Sequence, residues 1–195
     1  MGSPDIEVKE IEKIIVLLKT GKVGVIPTDT IYGIVGSALN PHTVEEIYIL
    51  RKRATNKPMI ILISSLEDFK KFSINLTKAQ TDFLKKIWPN PVSVVLPCTL
   101  AKFTYLHRGK RSLAFRMPRN DELLQILKKT GPLVAPSANI EGEKVAESIN
   151  QAKKYFGNTI DFYVDGGKLK SRPSTIVQLF KDGTHIVLRE GVYRV

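Results

Sequence analysis

The chain has 195 residues, of which 43% are hydrophobic and 25% are charged. This composition excludes a disordered, collagen-like or coiled-coil protein and predicts a single globular domain over residues 1–195. Thirty Lys and Arg residues against nineteen Asp and Glu give a formal net charge of +11, which favours polyanionic ligands such as nucleotides, pyrophosphate or RNA. The charge alone is equally compatible with a soluble surface that is merely basic.

The sequence carries no pattern typical of secretion or of a membrane span. Its longest apolar runs, such as residues 59–63, are far too short to cross a bilayer, and the N-terminus MGSPDIEVKE has no apolar core. Residues 1–4 are expected to be a disordered tail or a remnant of cloning. The single cysteine, Cys98, cannot form an internal disulfide, so we expect a cytoplasmic protein with no membrane partner.

The first predicted elements alternate between helix and strand. Apolar residues at helical spacing predict a helix over 6–18 that ends at Gly21, followed by a short buried strand over 23–26. The capping-box pattern TVEE at 43–46 predicts that a second helix begins at Thr43 and runs through Arg53. Residues 59–64 are predicted to form another buried strand.

The second half of the chain holds three more predicted helices and most of the strands. A capping box at Thr77 begins a helix that reaches Trp88, Asn120 caps a helix that ends at Gly131, and a last helix covers about 147–156. Strands are predicted over 92–97, 112–118, 160–167, 174–180 and 185–190, and residues 132–139 are predicted as a strand that runs into a loop. The turn at 182–183 joins the last two as an antiparallel hairpin. This α/β pattern without strict alternation predicts a twisted mixed sheet with flanking helices.

Several common catalytic signatures are absent from the sequence. It contains no G-x-x-x-x-G-K-[ST], no G-x-G-x-x-G after a strand and no G-x-S-x-G. These absences exclude P-loop, dinucleotide-binding and α/β-hydrolase sites. The three histidines and the single cysteine lack ligand spacing, so we expect no metal site made by the protein.

Polar clusters instead recur where predicted strands begin or end, which is where α/β sheets bind ligands. Simpler explanations exist for each: a solvated helix end for Arg51 and Arg53, a local turn for 136–139, a core position for Tyr32. Ser112 and Arg116 share one strand face, which suits either a common ligand or protection of a sheet edge. The recurrence favours one binding site. The clusters lie at 27–33, 50–58, 112–118, 135–139, 174–175 and 189.

In these clusters the sequence resembles the YrdC-like family, the threonylcarbamoyl-AMP synthases. PTDTIYGI resembles the family's P-T-[ED]-T-x-Y-G-[LI], RKRATNKPMIIL its K-x-R-P…P-L, and WPNPVSVVLP its W-P-G-P-x-T-x-x-L. LAFRMP, APSAN and PSTIV…LREG resemble V-x-R-x-P, A-P-S-A-N and S-T-[IV]-V…R-x-G. The six motifs follow one another in the family's order from about residue 21 to 191.

The resemblance implies both a fold and a reaction. The fold is a twisted mixed sheet around a concave basic groove, in the short single-domain form without an extra C-terminal domain. The reaction joins L-threonine, bicarbonate (or CO2) and ATP into threonylcarbamoyl-adenylate and releases pyrophosphate. A downstream threonylcarbamoyl transferase complex then modifies adenosine 37 of tRNA, and the basic surface offers a contact for tRNA or other RNA.

The resemblance further implies a role for each residue of the site. The catalytic residues are Arg53, Ser137 and Asn139. ATP is bound by Arg51, Arg53, Lys57, Ser112, Ser137, Asn139, Val145 and Arg189. Threonine is bound by Thr30, Tyr32, Leu62, Arg116, Ala135, Ser174 and Thr175. Magnesium is expected to accompany the triphosphate of ATP, which needs few protein carboxylates, and Asp29 receives no role.

Some positions depart from the family motifs. Leu62 stands where many members carry a histidine, and Arg51 replaces a lysine, so a planar fork replaces a point charge. Two alternatives stay open: an RNA-binding or ribosome-associated module, and a carbamoyl-transfer domain of the same fold. The retained Arg53, Ser137 and Asn139 favour the synthase. The other departures are Ala54, Asn90, Ser93 and Glu141.

Overall fold

The computed structural model describes residues 8–195. The predicted tail at 1–4 and the first two residues of the first predicted helix lie outside the described residues. The helices are α1 Val8–Lys19, α2 Pro41–Leu50, α3 Lys78–Ile87, α4 Thr104–His107, α5 Asp121–Thr130 and α6 Ile149–Phe156. The strands are β1 Gly24–Pro27, β2 Tyr32–Ser37, β3 Ile60–Leu62, β4 Val92–Pro97, β5 Ser112–Arg116, β6 Leu133–Val134, β7 Phe162–Tyr163, β8 Thr175–Leu179 and β9 His185–Arg189. Short 3-10 helices cover Leu66–Phe72, Ala101–Phe103 and Gly157–Thr159.

The strands form a mixed nine-stranded sheet in the order β7-β1-β2-β6-β3-β5-β4-β8-β9. The pairs β1–β7, β3–β5 and β4–β8 are parallel, and the remaining neighbours are antiparallel. This architecture confirms the predicted α/β class with a twisted mixed sheet and flanking helices, and the β8–β9 pair confirms the predicted last hairpin. The concave basic groove and the single-domain organisation stay predictions.

Two hydrophobic clusters sandwich part of the sheet. In β3, Leu62 packs into the cluster built by α1 and α5, while Ile61 packs into the larger cluster built by α2, α3 and α6. Successive strand residues point to opposite faces, so these two clusters lie on opposite sides of the sheet. The α1–α5 side does not extend over β4 and β8, where Ile176 stays partly exposed. Among residues 8–195, no helix is long and apolar enough to cross a membrane.

The start of α2 differs from the prediction. The side chain of Asn40 caps the helix by accepting the N–H groups of His42 and Thr43 at 3.0 and 3.4 Å, and Pro41 occupies the first turn. Proline is favoured there because its missing N–H has no intrahelical partner to lose. The predicted capping box at Thr43 is therefore wrong, and α2 ends at Leu50 rather than Arg53. The predicted caps at Thr77 and Asn120 are confirmed.

Strand β2 was not predicted, because two glycines interrupt its apolar pattern. A Cβ atom on Gly36 would lie 2.3 Å from Cγ2 of Thr43, so the glycine lets α2 pack directly on the strand. The predicted loop at 27–33 shrinks to the turn at 28–31 of the β1–β2 hairpin. Within 132–139, β6 ends at Val134 and runs into a loop, as predicted, and the strand predicted over 160–167 shortens to β7, since Gly166–167 interrupt the ladder.

Candidate functional site

A pocket of about 180 Å³ opens on the face of the sheet that α1 and α5 leave uncovered. The β1–β2 turn, the segment after α2, and strands β3, β5, β8 and β9 contribute its walls together with residues 135–137. The pocket thus collects most of the polar clusters that lie far apart in the chain. The predicted site residues that line it are Thr30, Tyr32, Arg51, Arg53, Arg116, Ala135, Ser137, Val145, Ser174 and Arg189.

The turn of the β1–β2 hairpin presents two buried threonine hydroxyls. Thr28 Oγ1 donates to the carbonyl of Ile31 at 2.7 Å and accepts the Thr30 N–H at 3.2 Å, which closes the turn locally. The Thr30 hydroxyl lies 3.2 Å from that of Thr28, and both residues line the pocket. The tight turn therefore places the Thr30 hydroxyl at the pocket wall, and its contact with threonine stays a prediction.

Tyr32 lines the pocket and also anchors the loop at 165–167. Its hydroxyl donates to the carbonyl of Gly167 at 2.7 Å and accepts the N–H of Gly166 at 2.8 Å. Burial raises the pKa of Tyr32 to about 12. The hydroxyl is thus a neutral anchor for the loop at 165–167, and the side chain is part of the core.

Arg51 is buried at the junction of two pocket segments. Its Nε donates to the carbonyl of Asn139 at 3.0 Å, and its Nη2 donates to Asn139 Oδ1 at 2.9 Å and to Ser137 Oγ at 3.2 Å. Only 2% of the residue is exposed, so the explanation of Arg51 as a solvated helix end is wrong. Burial, followed by the charge of Arg53, lowers the pKa of Arg51 to about 10, and the guanidinium stays charged at neutral pH.

Polar contacts hold the segment that follows α2, residues 53–58. Arg53 donates from Nε to the carbonyl of Lys57 at 2.9 Å and from Nη2 to that of Pro58 at 3.1 Å. Glu141 accepts from the Ala54 N–H and from Lys57 Nζ, each at 2.5 Å. The predicted phosphate ligand Lys57 is thus paired with a carboxylate and lies outside the pocket.

Two further arginines line the opposite wall. Arg116 Nη2 lies 3.1 Å from Asp29 Oδ1, and both side chains are almost completely buried. Arg189 Nη2 donates to the carbonyl of Ser174 at 2.7 Å. Burial and the nearby charge of Arg116 both lower the pKa of Arg189. Four arginines therefore line the pocket, and in the described part of the chain no carboxylate lines it with them.

Comparison with known proteins shows which family the chain belongs to. Residues 16–191 match the Sua5/YciO/YrdC family, whose description is telomere recombination. The chain belongs to the Sua5/YciO/YrdC family. This confirms the resemblance noted in the sequence, and the match covers all nine strands of the sheet.

Named relatives of this family member are moderately similar to it. Threonylcarbamoyl-AMP synthase of Pyrococcus abyssi is 29% identical over 176 residues, which cover 89% of this chain and 52% of the relative. The Marinobacter nauticus protein of the same name is 32% identical over 156 residues, which cover 78% of this chain and 82% of the relative. The crystal structure of P. abyssi Sua5 complexed with L-threonine superposes with a TM-score of 0.88 at 28% identity, covering 97% of this chain and 56% of that one. The chain thus spans about half the length of the P. abyssi relative.

Several predicted site residues of this Sua5/YciO/YrdC domain lie outside the pocket. Leu62 is fully buried in the α1–α5 cluster, and Thr175 accepts the N–H of Gly191 and donates to the carbonyl of Tyr193. The Asn139 amide is fully engaged: its nitrogen donates to the carbonyls of residues 140 and 143, and its oxygen accepts from Arg51. Ser112 lies on the pocket face but about 13 Å from Arg116 along β5. The ligand contacts assigned to these residues stay predictions.

Some pocket residues of this family member were not singled out as ligands in the sequence. Thr28 and Ile176 line the pocket directly. The buried Ser93 hydroxyl lies 2.9 Å from that of Ser174, and the hydrogen bond between them fixes the Ser174 side chain. Only the sheet register, which pairs Ser93 with Ile176 on the pocket face, places this serine beneath the pocket.

Substitution of Gly191 by alanine is expected to disturb the pocket by pushing against the backbone of Ser174, which lines it. A Cβ atom there would lie 2.3 Å from the carbonyl carbon of Ser174 and from the backbone nitrogen of Thr175, and backbone cannot move aside as a side-chain tip can. We expect Gly191→Ala to lower the free energy of unfolding by about 1–3 kcal/mol and to displace Ser174. Urea denaturation measures the first effect. Glu190→Ala, at the exposed residue that precedes Gly191, is the control; equal losses in both variants would contradict the steric explanation.

Proposed function

We propose that this Sua5/YciO/YrdC domain is an L-threonylcarbamoyladenylate synthase, a nucleotidyltransferase that uses L-threonine, bicarbonate and ATP. The observation that carries the proposal is the convergence of Arg51, Arg53, Arg116 and Arg189 on one pocket without a lining carboxylate in the described chain. Relatives named threonylcarbamoyl-AMP synthase and the L-threonine complex of P. abyssi Sua5 support the choice of substrates.

The reaction requires anions to approach one another. Condensation of the threonine amine with bicarbonate forms a carbamate and releases water. A carbamate oxygen then attacks the α-phosphorus of ATP, and the bond from that phosphorus to the bridging oxygen of pyrophosphate breaks. Fixed guanidinium groups that are already oriented lower the energy of this arrangement, because they need not reorganise as the charges meet. The four arginines supply these fixed positive charges.

The size of the pocket divides the ligands between two regions. A volume of about 180 Å³ is below the ~300–1,000 Å³ typical of sites that enclose a drug-sized molecule. We infer that the enclosed part holds threonine against Arg116, Thr30 and Ser174. The phosphates of ATP then lie at the mouth near Arg51, Arg53 and Ser137. The nucleoside extends over the open sheet face towards Ser112.

Magnesium belongs to ATP rather than to the protein in this proposal. No group of three or more His, Cys, Asp or Glu side chains within residues 8–195 is arranged to hold a metal ion. The carboxylate nearest the pocket, Asp29, already faces Arg116. Magnesium is commonly bound through substrate phosphates with few protein ligands. We therefore assign no step of the reaction to a metal held by this chain.

The product is expected to serve tRNA modification. Under this proposal a downstream threonylcarbamoyl transferase complex consumes threonylcarbamoyl-AMP to modify adenosine 37 of tRNA. The net charge of +11 supports a direct contact with tRNA or other RNA. A cytoplasmic location fits both tRNA chemistry and the free, buried Cys98.

Pyrophosphate release tests the proposal. The full chain is mixed with MgATP, L-threonine and bicarbonate, and release is expected only when all three are present. Parallel reactions replace L-threonine by L-serine or L-valine, and carbamoyl phosphate replaces bicarbonate. Absence of threonine- and bicarbonate-dependent release would reject the synthase. Salt-sensitive RNA binding without turnover would favour the RNA-binding module, and activity with carbamoyl phosphate alone would favour the carbamoyl-transfer domain.

A further inference from the structure

We propose that Asp29 is a positioning residue that holds the Arg116 guanidinium in the orientation needed to bind the threonine carboxylate. The inference rests on the proposed function and deepens it, since it assigns a role to the acidic residue in the PTDT segment. Asp29 acts through Arg116 and does not itself line the pocket. Three observations support this role.

The first observation is the burial of the pair. Asp29 Oδ1 lies 3.1 Å from Arg116 Nη2, and the two side chains are 2% and 5% exposed. An isolated charge in such surroundings is strongly unfavourable, so the buried Arg116 guanidinium is stabilised by the carboxylate beside it. Burial lowers the pKa of Arg116, and the charge of Asp29 opposes this effect.

The second observation is that the chain itself orients the carboxylate. Asp29 Oδ2 accepts the backbone N–H of Arg119 at 3.1 Å. One carboxylate oxygen therefore accepts a hydrogen bond from the segment that follows β5. The other oxygen faces Arg116, the last residue of β5. Asp29 sits in the turn that also presents Thr30. The carboxylate consequently links the turn with Thr30 to the strand with Arg116.

The third observation is that Asp29 does not saturate the guanidinium. Arg116 Nε has no hydrogen-bond partner among the described residues, and the contact to Asp29 Oδ1 lacks hydrogen-bond geometry. A guanidinium can bind a carboxylate through two parallel N–H groups. Arg116 lines the pocket and forms no hydrogen bond with Asp29, so its terminal N–H groups remain for a ligand carboxylate there. Arg189 is a like-charged neighbour of Arg116, so it repels the guanidinium and cannot orient it by attraction.

The first experiment measures steady-state kinetics of Asp29→Asn in the full chain. Asparagine keeps the shape and the acceptor for the Arg119 N–H but removes the charge facing Arg116. We expect the KM for L-threonine to rise about 10–100-fold, as when an outer partner of a ligand-binding group is removed, with the KM for ATP nearly unchanged. Asp161→Asn is the matched control, because Asp161 also accepts a backbone N–H, from Val23, and pairs with a cation, Lys22, away from the pocket.

Double substitution tests whether Asp29 acts through Arg116. If it does, Asp29→Asn adds little to the KM change of Arg116→Lys, because the guanidinium to be oriented is already gone. Fully additive effects would contradict the proposal. So would an equal rise in both KM values accompanied by a lowered melting temperature, since that pattern belongs to a purely structural residue.

A measurement without turnover separates this inference from the proposed function. In ¹⁵N-resolved NMR spectra the Arg116 Nε–H signal is assigned by its absence from Arg116→Lys. Slow exchange with water is expected in the wild type, and faster exchange with a shifted signal in Asp29→Asn. An unchanged signal overturns the positioning role. A wild-type chain that releases no pyrophosphate rejects the proposed function, whereas the NMR comparison still decides whether Asp29 orients Arg116.

Discussion

Arg51→Ala is expected to abolish pyrophosphate release and to lower the free energy of unfolding, because each buried acceptor left without its partner costs about 1–3 kcal/mol. The guanidinium donates to the Asn139 carbonyl, to the Asn139 side chain and to the Ser137 hydroxyl. Alanine leaves these buried acceptors without a partner and opens a void, so residues 137–139 lose their fixed position. Both stability and the pocket depend on this one side chain.

Chemical denaturation and the pyrophosphate assay check this expectation together. Arg51→Lys is an informative companion, because an ammonium keeps the charge but cannot span the Asn139 carbonyl and the Ser137 hydroxyl as a fork does. We expect it to recover part of the stability and part of the turnover, because the family motif has a lysine at this position. Arg194→Ala, at an exposed arginine, serves as the control. Wild-type stability in Arg51→Ala would show that the network contributes nothing to folding.

Ser137→Ala is expected to reduce turnover roughly 100-fold, the loss typical of removing one preorganised polar group from an active site. The free energy of unfolding should change by no more than about 1 kcal/mol, the net value of one ordinary hydrogen bond. Ser137 lines the pocket, and its hydroxyl accepts a single 3.2 Å hydrogen bond from Arg51. Its backbone bridge to Gly33 does not involve the side chain.

The contrast between the two variants is diagnostic. Arg51→Ala should lose both stability and turnover, whereas Ser137→Ala should lose turnover alone. Ser171→Ala, at an exposed serine on the loop before β8, is the matched control for the latter. A large loss of stability in Ser137→Ala with retained specific activity would return Ser137 to the local-turn explanation.

Local features of the fold were predictable because they depend on neighbouring residues. The Thr77 and Asn120 caps, and the hairpin turn at 182–183, each rest on groups within four residues of one another. The start of α2 was missed because two adjacent signals competed: Asn40 followed by Pro41 prevailed over the capping box at Thr43. Strand β2 was missed because glycines replace the side chains that would have shown its alternation.

The sequence by itself determined the α/β class, most elements and the set of polar clusters, through spacing, capping residues and ordered motifs. Only the tertiary structure decided which side chains of those clusters reach the pocket. Arg51 meets Asn139 across 88 residues, and Asp29 meets the Arg119 N–H across 90. Burial and partners at such separations follow from sheet order and register, which local patterns do not encode. For that physical reason Arg51 is a buried residue that links two segments by hydrogen bonds, not a solvated helix end. Asp29, which had no role in the sequence analysis, pairs with Arg116.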